Sequence, residues 1–320
     1  MFGLHLRLYL LLALLFGIIY SVLTVIGAAM GLYNFYIYVI IGFGLMFLQY
    51  MIGPKLVELS MRVEYVDKKS YPELHNMVEE LAQKAHIPTP RIGIARISIP
   101  NAFAFGRGFS DSRVCVSESL MRLLSEGELK AVIGHEISHI KNRDVLTITL
   151  LSVIPMILYY LAWNFFWFGG GRRRSQGGGG VLIGLAAFVL YFITNLLVLY
   201  GSRIREYFAD QGSVALGNKP KELASALYKL VYGSARMDKR AIKDSEGLKA
   251  FFVNDPSRAT KEIRELAEID SDKSGTIDSY ELAALRNKKI QLSFGDRLME
   301  ILSTHPNMLK RIQQLSAIKA

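Results

Sequence analysis

Between Leu8 and Ile52 the sequence carries not one charged side chain. Two more charge-free runs follow, Val145–Phe168 and Val181–Ser202. A helix needs about 20 apolar residues to cross the hydrocarbon core of a bilayer. The first run is too long for one crossing and divides near Gly31-Leu32-Tyr33-Asn34 into two. It is also longer than a signal-peptide core, and a second apolar run follows at once. Four transmembrane helices are therefore expected, at about 8–30, 35–52, 145–168 and 181–201. A wholly soluble globule is excluded.

The remainder, 53–144 and 203–320, is long enough for one domain with its own core. Four crossings put both stretches on the same side, where they can fold together as the two parts of one catalytic domain. The net charge of +10 is spread along the chain, apart from the triplet Arg172-Arg173-Arg174 in the Gly/Arg-rich loop between spans 3 and 4. It marks no nucleic-acid surface and suits contact with an anionic lipid bilayer. The lone Cys115 rules out an intramolecular disulfide. Arg7, Lys55, Arg62, Lys141, Arg143, Arg203 and Arg205 flank the spans on the domain side and outnumber the opposing triplet. That bias predicts a cytoplasmic domain.

Within the domain, Leu74, Met77, Val78, Leu81 and Ala85 repeat at helical spacing over 71–85. The stretches 91–99, 101–105 and 113–116 alternate like strands of a small sheet. Ser125-Glu126-Gly127-Glu128 is a capping box that opens a helix with an apolar face of Leu129, Val132, Ile133, Ile137 and Ile140. Only four residues separate that helix from span 3, so it can run on into it. Further helices are expected at 203–216, 220–234, 257–269, 293–303 and 307–318. The fold class expected is α+β, mainly α-helical: four transmembrane helices and a zincin-like catalytic domain carrying a small β-sheet.

His135-Glu136-Ile137-Ser138-His139 lies on the capped helix. Residues i and i+4 share a helix face, so both imidazoles can grip one metal ion while Glu136 addresses its water. Imidazole and carboxylate donors suit zinc, and a catalytic zinc takes three protein ligands and keeps one open position. The third ligand must come from elsewhere. Glu206 and Asp210 are again i and i+4. Glu206 can bind the metal, and Asp210 can accept the other ring N–H of a ligand imidazole, His135 being the candidate. No Ser-His-Asp arrangement is readable, and Cys115 sits in a strand pattern without a nearby His.

The pattern His135-Glu136-x-x-His139…Glu206-x-x-x-Asp210, flanked by apolar spans, resembles the HtpX-type membrane metalloproteases, gluzincins related to the CAAX prenyl endopeptidases. Asn101-Ala102-Phe103-Ala104, Ser303-Thr304-His305-Pro306 and Arg311 extend the likeness over nearly the whole chain. The resemblance implies a multi-pass protein of a prokaryotic cell membrane. It implies one zinc ion and a catalytic domain that cuts misfolded or damaged membrane proteins on the cytoplasmic side. Carried over by position, Asn101, Ala102 and Phe103 would offer strand-edge backbone to an extended peptide. His305 would donate to the oxyanion, and Arg311 would tie Asp210 or the site wall.

One segment departs from that family pattern. Residues 270–281 fit a twelve-residue EF-hand loop, with Asp270, Asp272, Ser274, Thr276, Asp278 and Glu281 at the ligand positions and Gly275 at the sharp turn. A calcium ion is the expected occupant. Two rival functions remain open on sequence: a calcium-binding membrane adaptor on an inactive protease scaffold, and a prenyl-protein endopeptidase.

Overall fold

The computed structural model describes residues 35–168, 179–235, 262, 263, 266, 269–286, 288, 290 and 293–318. The expected first span, the Arg172–Arg174 triplet and most of the helix expected at 257–269 lie outside the described residues. The chain divides into two compact units, Met1–Ile52 with Leu146–Ile204, and Gly53–Val145 with Arg205–Ala320.

The helices shared by the two units are α1 (Phe35–Ser60), α5 (Asp144–Phe168) and α6 (Gly179–Ala215). In the first unit Leu151, Ile154 and Leu158 of α5 form a buried cluster with Val198 of α6. Four crossings are expected from the apolar runs. Among the described residues one helix, Leu182–Ala215, is long and apolar enough to cross a membrane. The break expected near Ser202, between the last span and a separate helix, is absent. α6 continues unbroken to Ala215, because Arg203–Gly212 contains no Pro and its one glycine lies on a packed face.

The second unit is built on a four-stranded sheet of β1 (Val63–Tyr65), β2 (Arg91–Ala95), β3 (Ala102–Gly106) and β4 (Ser112–Ser117), in the order β1-β2-β4-β3. β1 and β2 pair antiparallel, β2 and β4 parallel, β3 and β4 antiparallel. β1 is too short to show a period of two and was not expected from sequence. The strand expected over 91–99 stops at Ala95.

Alternation along the strands divides two cores, as the pleat requires. Ile92, Ile94, Ala102, Val114 and Val116 join the main core. Ala95, Phe103, Phe105 and Cys115 enter a second cluster with Val57 and Met61. Burial there pushes the Cys115 thiol pKa far up, so it stays an unreactive thiol. On the main-core side stand α2 (Pro72–Ala85), α3 (Glu118–Leu123), α4 (Glu126–Lys141), α7 (Pro220–Ala235), α8 (Ser279–Leu285) and α10 (Met308–Ser316). α9 (Phe294–Ile301) precedes α10. α2 buries the five residues whose spacing marked it.

α4 does not run on into α5. It ends at Asn142, and Arg143 adopts a left-handed φ of 55° before Asp144 opens α5. That single reversal decides where the Asp144 carboxylate goes.

Candidate metal centre

α4 starts where the capping box places it. Ser125 Oγ accepts from the Glu128 N–H at 3.4 Å, and the Ser125 N–H donates to Glu128 Oε2 at 2.8 Å. Glu128 is held in turn by Lys229 Nζ at 2.8 Å and Ser225 Oγ at 2.5 Å on α7. The helix is thus anchored at its start, and Leu129, Val132, Ile133 and Ile137 bury its apolar face. One turn apart on the same helix, His135 and His139 bring their Nε2 atoms to 3.1 Å.

The end of α6 meets α4 through small residues. A Cβ at Gly134 would overlap Asn218 and Ser213, and one at Gly212 would overlap Ser138. With neither present, Ser213 Oγ reaches Ala131 O at 2.6 Å. This close approach sets Glu206 and Asp210, one turn apart on α6, against the two histidines.

Glu206 Oε2 lies 3.5 Å from His135 Nε2, and Glu206 Oε1 lies 3.5 Å from His139 Nε2. Donors about 2.0–2.1 Å from a tetrahedral zinc stand about 3.3–3.4 Å apart. The contacts of 3.1, 3.5 and 3.5 Å, the last two made by different oxygens of Glu206, are of that size, and one donor atom of each residue lies within 4.8 Å of the other two. Buried polar atoms without a hydrogen-bond partner are rare in folded proteins. Here Glu206 Oε2 and both ring nitrogens of His305 are such atoms. Glu206 Oε2 does contact Arg311 Nη1 at 3.0 Å and His305 Nδ1 at 3.5 Å, ionic contacts without a directed hydrogen bond. A cation among them satisfies what the protein leaves unsatisfied. Two imidazoles and a carboxylate are the donors zinc takes.

The surroundings orient the histidines. His135 Nδ1 lies 2.9 Å from Asp210 Oδ1. Arg311, fully buried, grips Asp210 with two donors: Nε to Oδ2 at 2.9 Å and Nη2 to Oδ1 at 2.7 Å. Burial opposes charge on this guanidinium, but Asp210 and Glu206 more than compensate and raise its pKa above the ordinary value. Burial likewise works against a charged His135. Its hydrogen bonds to Asp210 and Glu206 prevail, and without metal its pKa is raised to about 9. A metal ion must therefore expel a proton from His135 to bind. Glu136 is buried next to His135.

Asp144 was not singled out in the sequence. Its Oδ2 lies 2.5 Å from His139 Nδ1, and its Oδ1 lies 2.9 Å from Arg205 Nε. An acid five residues past the second histidine follows no helical period. The Arg143 turn, not the periodicity of α4, delivers it.

Asn101 is buried, and its main chain engages Ser117 on both sides: its N–H donates to Ser117 Oγ at 2.9 Å and its C=O accepts from Ser117 N–H at 2.8 Å. Ala102 and Phe103 begin β3, which among the described residues has one partner strand, β4, and packs against α4.

The loop 270–281 is ordered around Asp270, which accepts from the Ser274 N–H and the Gly275 N–H, each at 2.9 Å. Lys273 and Gly275 take left-handed φ of 57° and 78°. Asp278 caps α8 by accepting from the Glu281 N–H at 2.8 Å. Asp270, Asp272 and Glu281 bring carboxylate oxygens within 4.8 Å of one another. Asp270 also accepts from Tyr228 on α7 at 2.9 Å, and Glu281 from the Ser271 N–H at 2.7 Å.

A protein-family model described as "Peptidase family M48" matches residues 68–319. The chain belongs to peptidase family M48. It is a membrane metalloendopeptidase of that family, and His135, His139 and Glu206 are a group able to hold its metal. It is 52% identical to the "Protease HtpX homolog" of Methanothermobacter thermautotrophicus over 71% of this chain and 86% of that protein. A "Protease HtpX homolog" of Pyrococcus furiosus is 33% identical over 99% of this chain and 96% of its own length. Among solved structures, the fold is similar to that of S. mikatae Ste24p, with a TM-score of 0.51 and 18% identity. That match covers 98% of this chain and 67% of the other.

Proposed function

We propose that one zinc ion sits on His135, His139 and Glu206, and that the enzyme hydrolyses peptide bonds of misfolded or damaged membrane proteins. The observation that carries this reading is the cluster of His135, His139 and Glu206 donor atoms at spacings of 3.1 and 3.5 Å, with Glu206 Oε2 buried and without a hydrogen-bond partner. The ion supplies Lewis acidity, which acidifies water and polarises a carbonyl. Glu136 is the base: it takes the proton of the attacking water and passes it to the leaving amine. His305, with Nδ1 toward Glu206 and Nε2 buried without a hydrogen-bond partner, donates through Nε2 to the oxyanion that develops on the carbonyl. The side of β3 away from β4, unpaired among the described residues, takes the substrate as an added strand from Ala102 through Phe103; Asn101, already bonded to Ser117, anchors that edge.

Digestion of casein by the detergent-solubilised protein tests the reading. Cleavage should stop with a zinc chelator and return with added zinc. Cleavage indifferent to chelation rejects it. Persistent inactivity of zinc-loaded protein favours an adaptor on an inactive scaffold, against which the complete set of His135, Glu136, His139 and Glu206 speaks. Faster cleavage of a prenylated peptide than of a membrane-protein substrate would favour the prenyl-protein endopeptidase.

The same proposal includes four crossings with a cytoplasmic catalytic domain, supported by the charge-free runs and their basic flanks. In a Cys115→Ser background, a cysteine at Ser175 should react with an impermeant thiol reagent outside intact cells, and one at Ser245 should not. The opposite pattern would reverse the orientation. Labelling of neither would mean that the third and fourth spans do not cross.

The loop 270–281 completes the proposal as a calcium site, supported by the clustered carboxylates and the two left-handed residues. Ligand binding at a hundredfold excess over Kd stabilises by about 2.7 kcal/mol. Millimolar Ca²⁺ should therefore raise the melting temperature, and Glu281→Gln should remove most of that rise. No calcium uptake by calorimetry at that concentration would make the loop a plain surface turn.

A further inference from the structure

We propose that Arg205 and Asp144 are positioning residues that fix the His139 imidazole and tie it to the helix carrying Glu206. The inference rests on the zinc reading only in taking His139 and Glu206 as ligands.

An ionised carboxylate can only accept a hydrogen bond. The 2.5 Å contact between Asp144 Oδ2 and His139 Nδ1 therefore places the ring proton on Nδ1. Nε2 then presents its lone pair toward His135 Nε2 at 3.1 Å and Glu206 Oε1 at 3.5 Å. Asp144 is buried, and a buried carboxylate needs compensating charge. Its place in the first turn of α5 favours negative charge, and Arg205 Nε stands 2.9 Å from Oδ1. That contact is ionic, without a directed hydrogen bond, and Arg205 Nη1 is buried with no hydrogen-bond partner.

Arg205 is the residue before Glu206 on α6, whereas His139 is on α4. The chain Arg205–Asp144–His139 thus links the two segments that supply the ligands, and does so at the start of α5. It duplicates the arrangement at the other histidine, where Arg311 holds Asp210 and Asp210 holds His135. The two arrangements differ in one respect. Arg311 also touches Glu206, whereas Arg205 contacts Asp144. Arg205 therefore acts through Asp144.

The test uses the full chain in detergent, with zinc dissociation measured by competition with a chromogenic chelator and melting temperature measured on the metal-free form. Asp144→Asn should weaken zinc binding about 10–100-fold, the range found when such outer carboxylates are changed. Arg205→Gln should weaken it about tenfold, at the low end of that range. Arg205→Lys, which keeps the charge, should restore most of the loss. Because Arg205 acts through Asp144, the double variant Asp144→Asn/Arg205→Gln should bind zinc no more weakly than Asp144→Asn alone.

Zinc affinity unchanged in Arg205→Gln overturns the proposal, even when the metal-free melting temperature falls, since that result describes a structural tie. Losses that add in the double variant also overturn it. If Arg205→Gln does not fold, the same comparison is made with Arg205→Met, alone and with Asp144→Asn, and additivity there has the same meaning. Absence of zinc binding by the unaltered protein would instead reject the metal centre itself.

Discussion

Glu136→Gln should leave zinc content unchanged and reduce casein cleavage by about 10²–10⁴-fold, the usual contribution of a positioned general base. Glutamine has nearly the shape of glutamate, so the burial of position 136 and the packing of α4 are preserved. What is lost is the basic carboxylate that takes the proton from water. Glu136 is not one of the three clustered donors, which are His135, His139 and Glu206. Metal retention and loss of hydrolysis should therefore separate cleanly. Retained activity would assign the base elsewhere. Lost zinc would mean that Glu136 supports the ion and not the proton transfer.

The largest effect on stability is expected at Arg311. This fully buried guanidinium neutralises Asp210 through two hydrogen bonds and Glu206 through a contact at 3.0 Å. Arg311→Met keeps much of the volume and removes this guanidinium from beside two buried carboxylates, leaving His135 as their shared partner. Removing one partner of a buried ion pair typically costs about 3–5 kcal/mol. The metal-free variant should lose stability on that scale in chemical denaturation. Zinc should recover part of the loss, because the ion restores positive charge beside Glu206. A loss below about 1 kcal/mol would mean that Asp210 and Glu206 find other partners or become protonated.

Some of this architecture was legible in the sequence because it is periodic. α2 and α4 announce themselves by apolar residues at helical spacing and by a capping box. Both pairs His135/His139 and Glu206/Asp210 are one turn apart, which is what lets a reader put each pair on one face. Strand alternation located β2, β3 and β4, but β1 has three residues and no room to show a period. The break expected at Ser202 is absent because a change from apolar to charged residues does not by itself end a helix, and α6 contains no Pro there. Asp144 was missed for a different reason. Its position depends on Arg143 adopting a left-handed φ, a backbone event that arginine does not advertise. The approach of α4 to α6 depends likewise on Gly134 and Gly212, whose importance lies in what a side chain would strike and not in any motif.

The most direct measurement of the central claim is metal analysis of the unaltered protein beside Glu206→Ala, each equilibrated with zinc, freed of excess and assayed on casein. The account predicts about one zinc per chain and zinc-dependent cleavage in the first, as a site with three protein ligands requires. In the second, where two imidazoles remain without the carboxylate, zinc and activity should fall together. Full zinc occupancy with undiminished cleavage in Glu206→Ala would contradict it.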